Sequence, residues 1–286
     1  MLRLPLLFIL FASLFQLRPA PATNPDWNRP FAPVRIVGNL YYVGTYDLSS
    51  YLLTSDQGHI LINTGLTESV PLIRANIESL GFKLADVKLL LATHAHWDHV
   101  AGMAALKKLT GARMAIHEGD AALMRDGGRS DFRFGGPEPS FEPVVVDQAL
   151  KDGAVLTMGT NRVTLHHHPG HTKGASSYTM TIREAGRDYR VVIANMGSIN
   201  DGVTLLKNAR YPSIADDYAR TFREQKALPI DIFLASHASQ FRLHDKFTPG
   251  DAYDPNRFVD PQGFRAGVER LEKLYLDQLA RERASN

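Results

Sequence analysis

Residues 93–99 read T-H-A-H-W-D-H, and no other stretch limits the chain so tightly. The run continues a short apolar segment, residues 87–93, that reads as a strand buried on both faces. It precedes a stretch at 100–109 that reads as a helix. In extended backbone His94 and His96 project to one side. Asp98 and His99 follow the change of direction into the helix. Metal-capable side chains therefore crowd the carboxyl end of a strand, where open α/β sheets place their sites. One strand-end turn can hardly aim all of them at a single ion, so Asp98 and His99 fall more naturally to a second. Imidazole and carboxylate donors without thiolate suit Zn²⁺ best, with Fe or Mn as alternatives. The chain contains no cysteine. That excludes thiolate zinc sites, iron–sulfur clusters, cysteine nucleophiles and disulfide scaffolds.

Two further histidines share the strand-end position. His171 sits in P-G-H-T (169–172), just after a predicted strand, where Pro and Gly constrain the backbone. His237 closes F-L-A-S-H (233–237), at the end of another apolar run. Each alone reads as a loop histidine; beside the first motif, both read as ligands. His166, His167 and His168 lead into the second turn, and His59, His117 and His244 read as surface or hydrogen-bonded residues.

Residues 1–22 carry Arg3, an almost unbroken apolar run from 4 to 15, and Ala20-Pro21-Ala22. This pattern is that of a secretory signal peptide. About twelve apolar residues fall short of the roughly 20 that a membrane-spanning helix needs. Export is therefore expected, with the remainder, 23–286, as one domain that leaves the membrane once the signal is cleaved. Removing 1–22 takes away Arg3 and Arg18 and no acid, and the remaining chain carries no net charge. A chain that balanced offers no electrostatic footprint for nucleic acid.

Predicted strands fall at 34–44, 50–55 and 59–65, then a helix at 67–80, the strand of the first motif, the helix at 100–109 and a strand at 112–116. The second half reads as strands at 143–146, 162–167, 178–182 and 189–194, a helix at 214–227, a strand at 231–235 and a long helix at 261–283. The hydrophobic fraction of 44% supports a sizeable core, and no low-complexity linker separates the halves, so one domain of two α/β halves is expected. The longest predicted loop, 127–142, holds Phe132 and Phe134.

H-A-H-W-D-H, a later P-G-H-T and a final S-H after an apolar strand resemble the metallo-β-lactamase superfamily, in motif order as well as content. The resemblance implies an α/β fold, the αβ/βα sandwich of two mixed sheets flanked by helices, with a dinuclear site at one edge. In glyoxalase II and the lactonases of that superfamily, an aspartate before the final histidine bridges two metals. In two subclasses of true β-lactamase a cysteine stands there. Here residues 193–200 read I-A-N-M-G-S-I-N and offer neither. What remains resembles the third subclass of class B β-lactamases. That implies two Zn²⁺ per chain, the first held by His94, His96 and His171, the second by Asp98, His99 and His237. It implies an exported, periplasmic enzyme that opens the β-lactam ring of antibiotics by attack of a zinc-bound hydroxide, with Asp98 orienting the nucleophile. Ser198 and Asn200 match the neighbourhood that contacts substrate. Asn63 and Thr64, at another strand end, are expected to orient histidine ring N–H groups. A small-molecule β-lactam is the expected partner and a monomer the default. The alternatives are another exported dinuclear metallohydrolase, a lactonase or esterase, and a zinc-binding module without turnover. The loops at 27–31 and 132–136 are candidates to cover the site.

Overall fold

The computed structural model describes residues 24–285. The segment read as a signal peptide, 1–22, lies outside the described residues. Among the described residues, twelve strands form two sheets. The first holds β1 (Val34–Val37), β2 (Leu40–Tyr42), β3 (Tyr51–Leu53), β4 (His59–Ile62), β5 (Val87–Leu91), β6 (Arg113–His117) and β7 (Gln148–Leu150), side by side in chain order. β1 to β4 form an antiparallel meander, and β4 to β7 run parallel. The second sheet has the order β12, β11, β10, β9, β8, built from β8 (Val155–Met158), β9 (Asn161–His167), β10 (Ser176–Glu184), β11 (Arg187–Ala194) and β12 (Ile232–Ala235). Its strands are antiparallel except for the parallel pair β11–β12. The helices are α1 (Val70–Ser79), α2 (Trp97–Val100), α3 (Met103–Thr110), α4 (Glu118–Asp126), α5 (Ile214–Ala227), α6 (Leu243–Lys246) and α7 (Pro261–Ala284). Two mixed sheets flanked by helices are the architecture the resemblance implied.

The apolar runs of β3, β4 and β5 are continuous because both faces of the first sheet are covered. Alternate residues point to opposite faces. Ile60, Ile62, Leu89 and Leu91 enter the core between the sheets, with Leu165, Tyr178 and Val191 from the second sheet. Leu52, Leu61 and Leu90 enter a separate core against Ile73 and Ile77 of α1 and Met103 and Leu106 of α3. Tyr218 and Phe222 of α5 and Val268, Leu271 and Tyr275 of α7 extend the inter-sheet core. Among the described residues no helix is long and apolar enough to cross a membrane.

Three local expectations need correction. Residues 143–146 form no strand: Pro143 has no N–H to give a ladder, Val144 N bonds Met124 O, and pairing with β6 begins only at Gln148. Helix α4 is not among the predicted elements, because E-G-D at its start reads as loop. The His117 ring nitrogen Nδ1 caps it by accepting from Gly119 N (3.1 Å). The predicted helix at 100–109 splits, with the short turn α2 carrying Asp98 and His99 and α3 starting after Gly102.

Candidate metal centre

The ends of β4 and β5 from one sheet meet the ends of β11 and β12 from the other, and buried polar groups hold them there. Tyr178 OH donates to Ala92 O (2.9 Å) and Tyr51 OH to Ala235 O (2.7 Å). Ser176 N donates to Thr93 O (2.8 Å), and the hydroxyls of Thr93 and Ser236 lie 3.0 Å apart. The loop after β5 carries His94 and His96, α2 carries Asp98 and His99, the β9–β10 connection carries His171, and the residue after Ser236 is His237.

All six side chains converge. His94, His96 and His171 each offer a ring nitrogen, and these atoms lie within 4.8 Å of one another; His94, Asp98 and His99 form a second such group. His96 Nδ1 faces His171 Nε2 at 3.2 Å. Asp98 Oδ2 lies 3.1 Å from His99 Nε2 and 3.5 Å from His237 Nε2. The backs of the rings are fixed. A carbonyl can only accept, so His171 Nδ1–H donates to Ser198 O (2.8 Å), leaving Nε2 as a lone pair inside the cluster. His237 Nδ1–H donates to Asp47 Oδ2 (3.0 Å), and Asp47 Oδ1 accepts from Ser239 N (3.0 Å).

The electrostatics suit cation binding. Burial, with the rings of His99, His171 and His96, holds His94 well below the usual imidazole range. Burial and His96 push His171 down to about 3. Burial also lowers His99, against the pull of Asp98. Neutral imidazoles are what a metal requires of its ligands. Burial works against ionisation of Asp98, but His99 and His237 outweigh it and hold the carboxyl well below its ordinary range. Burial would lower His237, yet Asp47 and Asp98 raise it to about 9, so this ring, unlike the other three, has to release a proton before it can serve as a ligand. His94 Nε2 is shielded from solvent and has no hydrogen-bond partner. Buried polar atoms are rarely left so. An unpaired ring nitrogen on the histidine shared by two donor groups, with His96 and His171 in one and Asp98 and His99 in the other, is accounted for by a bound cation, and the nitrogen-and-oxygen donor set fits zinc.

The remaining expected residues take different places. Ser198 Oγ lies 3.4 Å from His171 Nδ1, and its carbonyl accepts from both His171 and Tyr218 OH (2.8 Å). Asn200 is half-buried and lies on the segment after β11. Neither Asn63 nor Thr64 bonds a histidine ring directly, although Asn63 Oδ1 accepts from Thr93 Oγ1 (3.2 Å), which lies 3.3 Å from His94 Nδ1. Asn63 Oδ1 accepts from Thr93 N (2.9 Å), while Thr64 N (2.8 Å) and Oγ1 (3.2 Å) donate to His99 O. Both loops singled out as covers reach the centre. The Trp27 ring stands 6.0 Å from His237, and Phe134 meets His96 and Trp97 edge-on at 5.1 and 5.0 Å.

Three acids went unread in the sequence: Asp47, Asp120 and Asp131. Asp120 is fully buried in the first turn of α4 and accepts from Ala95 N (2.9 Å), Thr172 Oγ1 (2.7 Å) and Gly174 N (2.7 Å). One carboxylate thereby ties the loop of His94 and His96 to the loop of His171. In sequence it reads as an ordinary acid favouring a helix N-terminus.

The metallo-β-lactamase superfamily model matches residues 44–184. The class B3 di-zinc metallo-β-lactamase LRA-12, from an Alaskan soil metagenome, is 46% identical, with a TM-score of 0.89, 92% of this chain covered and 100% of that one. A protein of Burkholderia pseudomallei named as a metallo-hydrolase is 32% identical over 136 residues, which is 46% of this chain; the chain spans 43% of that relative's length. A hydroxyacylglutathione hydrolase of Rhodopseudomonas palustris is 31% identical over 78% of this chain and 75% of its own. With its sandwich of two sheets and its histidine-rich centre at their shared edge, the chain belongs to the metallo-β-lactamase superfamily.

Proposed function

We propose that this protein is an exported zinc hydrolase that opens the β-lactam ring. The observation carrying this reading is the likeness to a class B3 di-zinc metallo-β-lactamase, 46% identical across that enzyme's whole chain. The ligand set agrees, since residues 193–200 bring no carboxylate or thiolate to the end of β11. That absence weighs against the thioester-hydrolase reading that the Rhodopseudomonas palustris relative's name would suggest. Export rests on the composition of residues 1–22, and a monomer acting on a small molecule is part of the same proposal.

His94, His96 and His171 would hold one zinc, and Asp98, His99 and His237 a second. Bound zinc supplies a water of lowered pKa, from about 15.7 to near 7, and Lewis-acid polarisation of a carbonyl oxygen. The protein's own groups do the rest. Asp98, kept ionised, accepts a hydrogen bond from the attacking water and orients it toward the lactam carbonyl carbon. The water's oxygen bonds to that carbon, the C–N bond breaks, and the ring nitrogen ends with a proton derived from the water. No enzyme-bound acyl group forms. Trp27 and Phe134 offer apolar walls on two sides of the centre for the non-reacting parts of a substrate.

The test is steady-state hydrolysis of a penicillin, a cephalosporin, a carbapenem and a hydroxyacylglutathione thioester by residues 23–286, run as purified, after chelation and after zinc is restored. A kcat/KM of about 10⁴ M⁻¹s⁻¹ or more on at least one lactam, abolished by chelator and regained with zinc, is expected. Faster turnover of the thioester than of any lactam would refute the reading.

A further inference from the structure

We propose that Asp131 is a positioning residue for the first metal, acting through His96. Its carboxylate selects the imidazole tautomer with hydrogen on Nε2, so that Nδ1 is left as a lone pair beside His171. Asp131 Oδ2 stands 3.5 Å from His96 Nε2. That is the outer limit of a hydrogen bond, but both atoms are shielded from solvent and neither has any other partner. A buried N–H and a buried carboxylate oxygen are costly to leave unpaired, and a small rotation of either side chain joins them. An ionised carboxylate can only accept, so the hydrogen must sit on Nε2. A neutral imidazole carries one N–H, and one placed on Nδ1 would close the atom that faces His171 Nε2 at 3.2 Å.

The carboxylate does not depend on His96 for its own position. Its other oxygen accepts from Arg133 N (2.8 Å) and Phe134 N (2.6 Å). The loop is fastened from outside, by Arg210 to Asp131 O (2.5 Å), Arg133 Nε to Asp201 O (2.6 Å), and Phe132 against Tyr211 with centroids 5.1 Å apart. The opposite half of the centre repeats the device with Asp47 on His237. Asp131 differs in that its loop also presents Phe134 edge-on to His96. A single side chain thus joins the aromatic wall to a metal-facing histidine.

Asp131→Asn separates this role from a structural one. The amide oxygen keeps the Arg133 and Phe134 N–H groups, and the NH₂ meets His96 Nε2, donor against donor. The imidazole is then driven to the Nδ1–H tautomer. Zinc titration against a chromophoric chelator is expected to show a 10- to 100-fold loss of affinity at one site, the usual effect of losing such an outer partner. The other site and the melting temperature of the metal-free protein should not change. In wild-type protein, ¹⁵N imidazole spectra of the zinc-loaded form should show His96 protonated on Nε2, a readout independent of any variant's folding. Wild-type zinc affinity in Asp131→Asn, or a His96 Nε2 without hydrogen, would overturn the proposal. A wild type that binds no zinc would overturn the metal-centre reading as well, which keeps the two failures distinct.

Discussion

Replacing Gly170 by alanine tests whether the β9–β10 turn holds His171 in place. Gly170 has φ +128°, a conformation that side chains rarely adopt, and a Cβ there would lie 2.7–2.8 Å from Cδ1, Cε1 and Cγ of Tyr218. The backbone strain alone is worth about 1–3 kcal/mol. The collision adds about 1–3 kcal/mol if the ring cannot yield. Tyr218 has little freedom: it is buried, stacks on Phe222 with centroids 6.0 Å apart, lies against Tyr275 and donates its hydroxyl to Ser198 O. Together the two costs come to about 2–6 kcal/mol, a large share of the roughly 5–15 kcal/mol by which domains are stable. Gly111→Ala is the control. Gly111 also has positive φ, +67°, but nothing lies within 4 Å of its Cβ position, so only the left-handed cost of about 1–2 kcal/mol applies. Urea unfolding of the metal-free proteins reads the difference as the collision plus whatever backbone strain φ +128° adds beyond the left-handed region. If the ring does yield, Tyr218 leaves the carbonyl that also fixes His171, and the loss shows in zinc affinity instead. A Gly170→Ala protein within about 1 kcal/mol of wild type, with wild-type zinc binding, would refute the reasoning.

Three further outcomes are expected. Asp47→Asn keeps an acceptor for Ser239 N but offers its NH₂ to His237 Nδ1; under the two-zinc proposal, affinity at the site that includes His237 should fall about 10- to 100-fold with the other unchanged, checked by zinc titration. His168 is buried, lies with its Nδ1 2.8 Å from the Ser177 hydroxyl, and is pushed down to about 3, chiefly by burial. Its folded value lies below the unfolded one near 6.5, so its contribution is present above pH 6.5 and is lost as pH falls toward 3. Between pH 6.5 and 4.5 it should cost about 2–3 kcal/mol, and His168→Gln should flatten that part of a stability-against-pH curve measured by urea unfolding. Asp98→Ala should remove most lactam turnover while the fold persists, as circular dichroism would show; unchanged kcat would remove Asp98 from the chemistry.

The parts of the centre that were legible in the sequence are those in which chemistry and local geometry coincide. H-A-H-W-D-H placed its donors within six residues after one strand, so their convergence needed only the period of extended backbone and one change of direction. The long α7 and β5, buried except at Lys88, were legible for the same reason: their patterns are local. Helix α4 was not, because its apolar residues Ala121, Leu123 and Met124 follow a polar start, and its cap is a histidine ring rather than the usual Ser, Thr, Asp or Asn. The acids behind the histidines were less legible still. Asp47 lies between β2 and β3, Asp120 in α4 and Asp131 in the loop after it, all distant along the chain from the histidines and histidine-bearing loops they hold. Nothing in their neighbours' identities distinguishes them from solvated surface acids. Their meaning arises only when the sheets close and water leaves, since in water a carboxylate would find other donors and would not discriminate between imidazole tautomers. Burial makes each one's choice of partner count, and so the groups that prepare a metal site can be as decisive as its ligands while leaving no motif.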